Sequence, residues 1–293
     1  MSYWFASAEQ LRAGRVSLSG ADAHHLARVQ RARVGDEITV ADGEGQACRV
    51  RLTAITGHEV IGEVLEMLPP APAPPVHITL YQAVCKGERM AWLIQKTTEL
   101  GLQHLVPLLT ERTVVLLPVD RAGSRWERWQ MIARAAAQQA QRPRLPQIGR
   151  PVSLLQSLAD LPHHDLALVL HAGEPLPSFR RVLQAHREAW PSLPGTPRVA
   201  LWVGPEGGFS PAELASLVAA GGQAVSLGPG ILRTETAGMI AVALVMYEWG
   251  GYDLFPELPS MAGGAGEKNG AHGAGLAVRQ DRPPGDPGPS MRL

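Results

Sequence analysis

The chain has 293 residues, 45% of them hydrophobic, and its 27 basic and 27 acidic side chains cancel. That is comfortable for two domains with a sizeable core, and the balanced charge argues against a disordered chain. Two cysteines, Cys48 and Cys85, exclude a disulfide framework and lack metal-ligand spacing.

The amino terminus, MSYWFASAEQL, has no basic segment followed by an apolar run, so no signal peptide is expected. EITVADGEG and ACRVRLTAITGHEVIGEVLEML alternate β-branched residues with Asp-Gly and Gly turn signals. They predict a small β domain of hairpins over residues 1–69. PPAPAPP, Pro69 to Pro75, is a stiff extended linker and the clearest boundary. From 76 to 252 strands and helices alternate. HITLYQAV and HLVPLLT are strands, and between them Met90, Leu93, Ile94 and Leu100 repeat at helical spacing until Gly101.

RWERWQMIARAAAQQAQ is a helix with Trp126, Trp129, Ile132, Ala133 and Ala136 on one face. It lies in a basic stretch, seven arginines against two acids from Asp120 to Arg150. Such a stretch suits either a phosphate backbone or a solvated face. LALVLHAG, RVALWVGPEGG and QAVSLGPG are apolar strands that each end in glycine, as in a parallel sheet covered on both faces, an α/β class. The run Ala237 to Tyr247 is too short to span a bilayer, so a soluble cytoplasmic protein is expected. Residues 258–293 are rich in glycine and proline without periodicity and predict a disordered tail.

Two strand-end loops are candidate ligand walls. In the first, Gly204-Pro205-Glu206-Gly207-Gly208 forms a rigid turn with exposed backbone, while Ser210, Pro211 and Glu213 are ordinary helix-start residues. The second, Leu227-Gly228-Pro229-Gly230, leads through Ile231 and Leu232 into Arg233-Thr234-Glu235-Thr236. Thr234 is placed to cap a deeply buried helix from Glu235, Arg233 can reach a phosphate or carboxylate, and Glu235 can accept a hydrogen bond. Two such loops on one sheet suit a nucleotide-like ligand. The Walker, dinucleotide and nucleophile-elbow glycine patterns are all absent, and the histidine pairs 24–25 and 163–164 poorly suit one metal.

Several blocks in order resemble the ribosomal RNA small-subunit methyltransferase E family of the SPOUT superfamily. They are HHLARVQRARVGD (24–36), KGERMAWLIQKTTELG (86–101), ERTVV (111–115), AAAQQAQRPRLPQI (135–148), LWVGPEGGFSPAE (201–213) and LGPGILRTETA (227–237). The resemblance implies a PUA-like β-barrel followed by a parallel-sheet domain with a deep carboxy-terminal trefoil knot. It also implies a homodimer, S-adenosylmethionine in the knot, no metal, and methylation of N3 of a uridine in 16S ribosomal RNA within the small subunit. The cofactor would then lie among Val203, Gly204, Pro205, Glu206, Gly207, Gly208, Leu227, Gly228, Ile231, Leu232, Thr234 and Thr236. Leu170, His171 and Gly173 would form a third wall.

Uridine N3 is a poor nucleophile until deprotonated, so Arg233 is the expected stabiliser of the anion. Glu235 is the second catalytic candidate, with Glu206 and hydroxide as other possible bases. His25, Arg28, Arg31, Lys86, Arg89, Arg112, Arg142 and Arg144 are the candidate RNA contacts. The chain departs from the family pattern at Gln138, where an acid is usual, at Gly230, where a basic residue is usual, and at Gln30, where leucine is common. Three competing readings are a SPOUT enzyme acting on another base or a ribose hydroxyl, a non-catalytic RNA-binding factor, and a nucleotide hydrolase, the last disfavoured by the missing phosphate-binding lysine motif.

Overall fold

The computed structural model describes residues 3–114, 119–173, 175–190 and 195–253. Val115 and the tail expected over 258–293 fall outside them.

The first sheet contains β1 (Tyr3–Phe5), β2 (Arg15–Ser19), β3 (Glu37–Ala41), β4 (Ala47–Ile55) and β5 (Glu59–Met67), in the order β1-β3-β4-β5-β2. Helices α1 (Ala8–Arg12) and α2 (Gly20–His24) lie between its first strands, and a π-type turn over His25–Val29 continues α2. The expected hairpins are present as β3–β4 and β4–β5, both antiparallel. The first closes because Asp42 Oδ1 accepts from the Glu44 and Gln46 amides, at 2.7 and 3.0 Å, an Asx-type turn. Alternation along β4 sends Val50 and Leu52 inward and Arg49 and Arg51 outward, where they pair with Glu66 and Glu37. Register shifts at Arg49/Val50 and Leu52/Ala54 bend the long pair. Trp4, Leu18, Leu26, Val40, Cys48 and Val60 complete this core.

The second sheet is wholly parallel. Its elements are β6 (His77–Ala83), α3 (Arg89–Leu100), β7 (His104–Leu109), α4 (Val119–Gln139), β8 (Gln147–Ile148), β9 (Val152–Ser153), α5 (Leu154–Ser157), β10 (Leu166–Leu170), α6 (Phe179–Ala189), β11 (Arg198–Val203), α7 (Pro211–Ala219), β12 (Gln223–Val225) and α8 (Thr234–Glu248). The strand order is β12-β10-β11-β6-β7-β8, with β9 also on β7. One face buries Ile78, Leu80, Leu168 and Leu201 under α3, α4, α6 and α8. The other buries Tyr81, Val169 and Trp202 with Leu154 of α5 and Leu217 of α7. Burial on both faces is why these strands read as apolar runs without alternation.

Gly101 ends α3 at φ 95°, and Ser210 and Glu213 form a complete capping box at α7. Three expectations need correction. Helix α4 begins at Val119, six residues before the predicted start. Helix α8 begins at Thr234 itself, so Thr234 is not its cap: the N-cap is Arg233, whose side chain makes no capping bond. Nor is α8 buried all round, because Leu244 and Tyr247 are 41% and 71% exposed. The proline run is pinned rather than free. Ala71 donates to Gly45 O at 2.8 Å and accepts from Arg144 at 3.1 Å.

Candidate active site

Because the strands are parallel, the carboxyl ends of β6, β10, β11 and β12 face the same way. The loops after β10, β11 and β12 meet in a cleft of about 340 Å³. Its apolar lining includes Leu170, Val203, Leu227, Ile231, Leu232 and Ala237, and its polar lining includes Glu206, Ser226, Arg233 and Thr234. His171, Gly204, Pro205, Gly208 and Gly228 also line it, as expected. Gly173, Gly207, Thr236 and Glu235 do not. A side chain at Gly173 would meet the His171 ring, and Gly207 carries Arg112, which donates to its carbonyl at 2.8 Å. The cleft also takes in Ala172, Ser226 and Ala237, which sequence reading did not assign to it, and Gly230 of the second candidate loop.

Backbone geometry explains two of the glycines. A Cβ on Gly204 would sit 3.1 Å from the Phe209 nitrogen, so a side chain there would push the returning backbone away by a few tenths of an ångström. Gly228 has φ 134°, a conformation side chains strongly disfavour. Gly230 has neither constraint, and a side chain there would meet nothing within 4 Å.

Thr234 ties the walls together. Its hydroxyl donates to Gly204 O at 2.5 Å and accepts from Gln82 Nε2 at 2.8 Å, all buried. One hydroxyl therefore joins the end of β6, the loop after β11 and the start of α8. Gln82 was missed by sequence reading, although a glutamine inside the apolar strand HITLYQAV was the available signal. Beside it Cys85 is buried, and burial pushes its thiol up to about 12, with the Glu206 and Glu235 carboxylates adding to the shift. It is no nucleophile at neutral pH.

The candidate charges divide into two groups. Arg233 is exposed and has no side-chain partner among the described residues. His25, Arg28, Arg31 and Lys86 are also exposed, with Trp4 edge-on to the His25 ring at 5.5 Å between centroids. Other arginines are engaged inside the molecule. Arg89 donates to Glu206 at 2.9 Å and stands 3.7 Å from Glu235, which is buried. Arg142 donates to Glu99 O at 2.9 Å, and Arg144 donates to Glu44 O and Ala71 O.

Three arginines of the basic stretch, Arg134, Arg142 and Arg144, thus serve as internal clamps, while Arg125, Arg128 and Arg150 are exposed. Arg134 spans from α4 to Phe5 O and Asp22, at 2.8 and 2.7 Å. Gln138 donates to the other oxygen of Asp22 at 2.9 Å. An acid at 138 would repel Asp22, so the departure there is matched to its neighbour.

Comparison with known proteins agrees with this architecture. Residues 72–246 match an RNA methyltransferase domain model, and residues 18–65 an RNA methyltransferase PUA domain model. Among curated relatives, the ribosomal RNA small subunit methyltransferase E of Bacillus subtilis is 31% identical over 232 residues, 79% of this chain and 90% of the relative. The Synechocystis protein of the same name is 34% identical over 238 residues, 81% and 74%. The chain belongs to the ribosomal RNA small subunit methyltransferase E family. A solved family member from Neisseria gonorrhoeae, bound to S-adenosyl methionine, is 31% identical with a TM-score of 0.72, over 85% of this chain and 98% of that one. A Legionella pneumophila methyltransferase structure with the bound cofactor gives 29% identity and a TM-score of 0.74, over 84% and 97%. The first sheet is thus the PUA-like domain and the second the SPOUT-type methyltransferase sheet of this family.

Proposed function

We propose that the chain transfers a methyl group from S-adenosylmethionine to N3 of a uridine in 16S ribosomal RNA. The observation that carries this reading is the cleft itself: two glycine-bearing loops locked by Thr234, with Arg233, which has no side-chain partner among the described residues, in its lining. Relatives with the cofactor bound support the ligand, and the family name supports the RNA. The cleft fits such a ligand. Leu170, Val203, Leu227 and Ile231 offer apolar surface to an adenine, the glycines leave backbone groups accessible, and Glu206 supplies a carboxylate for a cationic ligand. When bound, the cofactor supplies an electrophilic methyl on a sulfonium.

The protein must make N3 nucleophilic and hold it in line. Arg233 does the first by placing a fixed positive charge beside the uracil oxygens, where negative charge grows as the N3 proton leaves. Glu235, the second candidate, is buried in the first turn of α8 outside the cleft lining, so it acts on this chemistry through its neighbours and not on the base itself. The exposed His25, Arg28, Arg31 and Lys86 contribute salt-dependent RNA affinity.

The reading includes the family's trefoil knot and homodimer, in the cytoplasm with the small ribosomal subunit. The knot is supported by the order β12-β10-β11-β6 and by the three segments joined at Thr234. The dimer is supported by the open apolar side of α8, where Leu244 and Tyr247 are exposed, and by the exposed Trp92 of the adjoining α3. Tyr247→Arg should yield monomers in sedimentation equilibrium; an undisturbed dimer would place the interface elsewhere.

The functional test is transfer from labelled S-adenosylmethionine to small subunits lacking the modification, followed by nucleoside mass spectrometry. Label in 3-methyluridine is expected. Label in another nucleoside would overturn the target atom, and cofactor binding without transfer to any RNA would favour a non-catalytic role.

A further inference from the structure

We propose that Arg89 is a positioning residue of the methyl-transfer site rather than a contact to the RNA backbone. The inference rests on the proposed function and deepens it. Arg89 opens α3, directly after the loop that leaves β6, and its guanidinium serves two carboxylates from two other segments. Nη1 donates to Glu206 Oε1 at 2.9 Å, and Nε lies 3.7 Å from Glu235 Oε1.

Glu206 lines the cleft from the loop after β11. Glu235 stands in the first turn of α8 with its side chain 9% exposed, and its second oxygen, Oε2, is buried without a hydrogen-bond partner. Arg89 is the only counter-charge within ion-pair distance of Glu235 among the described residues. Removing it leaves a buried carboxylate uncompensated, which is far more disruptive than losing a surface pair.

The planar fork of arginine suits this geometry, since neighbouring N–H groups diverge toward two acceptors at once. Glu206 and Glu235 would otherwise repel each other across the wall of the cleft, beside Cys85, whose thiol feels both. By holding them apart, Arg89 fixes Glu206 where a cationic ligand is received. It also fixes Glu235 behind Thr234, the hydroxyl that locks the two glycine loops. An arginine so engaged is a weak phosphate contact, because two carboxylates already match its charge, although its side chain is 43% exposed.

The two roles differ in readout. Arg89→Ala and Arg89→Lys are to be compared with wild type for cofactor affinity by calorimetry, for single-turnover rate at saturating subunits, and for the salt dependence of subunit binding. If Arg89 positions the carboxylates, Arg89→Ala weakens cofactor binding by about tenfold or more, slows turnover with it, and leaves the salt slope at the wild-type value. The lysine variant should recover part of the loss, since it restores the charge without the fork. Glu206→Gln combined with Arg89→Ala should be no more than about threefold worse than Arg89→Ala alone, because the pair acts as a unit.

A salt slope shallower by about one, with unchanged cofactor affinity and rate, would make Arg89 a phosphate contact and overturn the proposal. Fully additive losses in the double variant would overturn it as well. If wild type transfers no methyl to any RNA, the functional reading fails separately. Calorimetry, which needs no RNA, then still decides the role of Arg89: wild-type affinity in Arg89→Ala would refute it.

Discussion

Thr234→Val is the most informative single change, since it removes one hydroxyl and keeps the shape of the side chain. The wild-type hydroxyl is buried, gives its proton to Gly204 O at 2.5 Å and accepts from Gln82 Nε2 at 2.8 Å. Valine cannot do either. The Gly204 carbonyl loses that donor, at a cost of about 1–3 kcal/mol for an unpaired buried acceptor. Gln82 Nε2 keeps a longer bond to Ala83 O at 3.3 Å, so its loss is smaller. The expected fall in unfolding free energy is about 2 kcal/mol, measured by urea titration.

The same bonds set the distance between the two glycine loops, so cofactor affinity should fall too. If the whole amount is felt at the cleft, the dissociation constant rises by roughly thirtyfold, at 1.4 kcal/mol per decade. Thr234→Ser, which keeps the hydroxyl, should lose much less of both. A valine variant within about 0.5 kcal/mol of wild type, binding cofactor normally, would refute the reasoning.

Other outcomes follow from the same geometry. Arg144→Ala should destabilise the protein by about 1–3 kcal/mol, because it strips donors from Glu44 O and Ala71 O; a pure phosphate contact would instead weaken RNA binding and leave the urea midpoint unchanged. Arg233→Ala should slow methyl transfer by about 100-fold or more without shifting the midpoint, since Arg233 has no side-chain partner among the described residues; near-normal turnover would remove it from the mechanism. Burial holds the His77, His104 and His164 imidazoles below their usual range. The unfolded chain therefore takes up more protons below about pH 6.5, so this stability is full above that pH and lost as pH falls toward the lowered folded values. His104→Gln should flatten the dependence of unfolding free energy on pH between about 7.5 and 5; an unchanged slope would contradict the assignment.

Much of this protein is legible in its sequence because the deciding physics is local. Alternation over β4, the Asp42 turn, the Gly101 stop and the Ser210–Glu213 box each depend on residues within a few positions. The apolar strands likewise announced a sheet covered on both faces, and their glycine ends marked the loops that form the cleft. Helix α8 was legible as a helix but not in its exposure. Its apolar residues lie on every side, so periodicity could not show which side the rest of the chain leaves open.

What the arginines and Thr234 do was decided only by tertiary structure. From sequence, Arg89, Arg142 and Arg144 are charges in a basic context, equally suited to phosphate. Their partners are Glu206, Glu99 O and Glu44 O, each brought near by tertiary packing and not by chain proximity. Thr234 looked like a helix cap because local rules favour a hydroxyl there. Its actual partners lie 30 and 152 residues away, and no local rule can weigh a hydrogen bond to a carbonyl that only the folded sheet brings within reach.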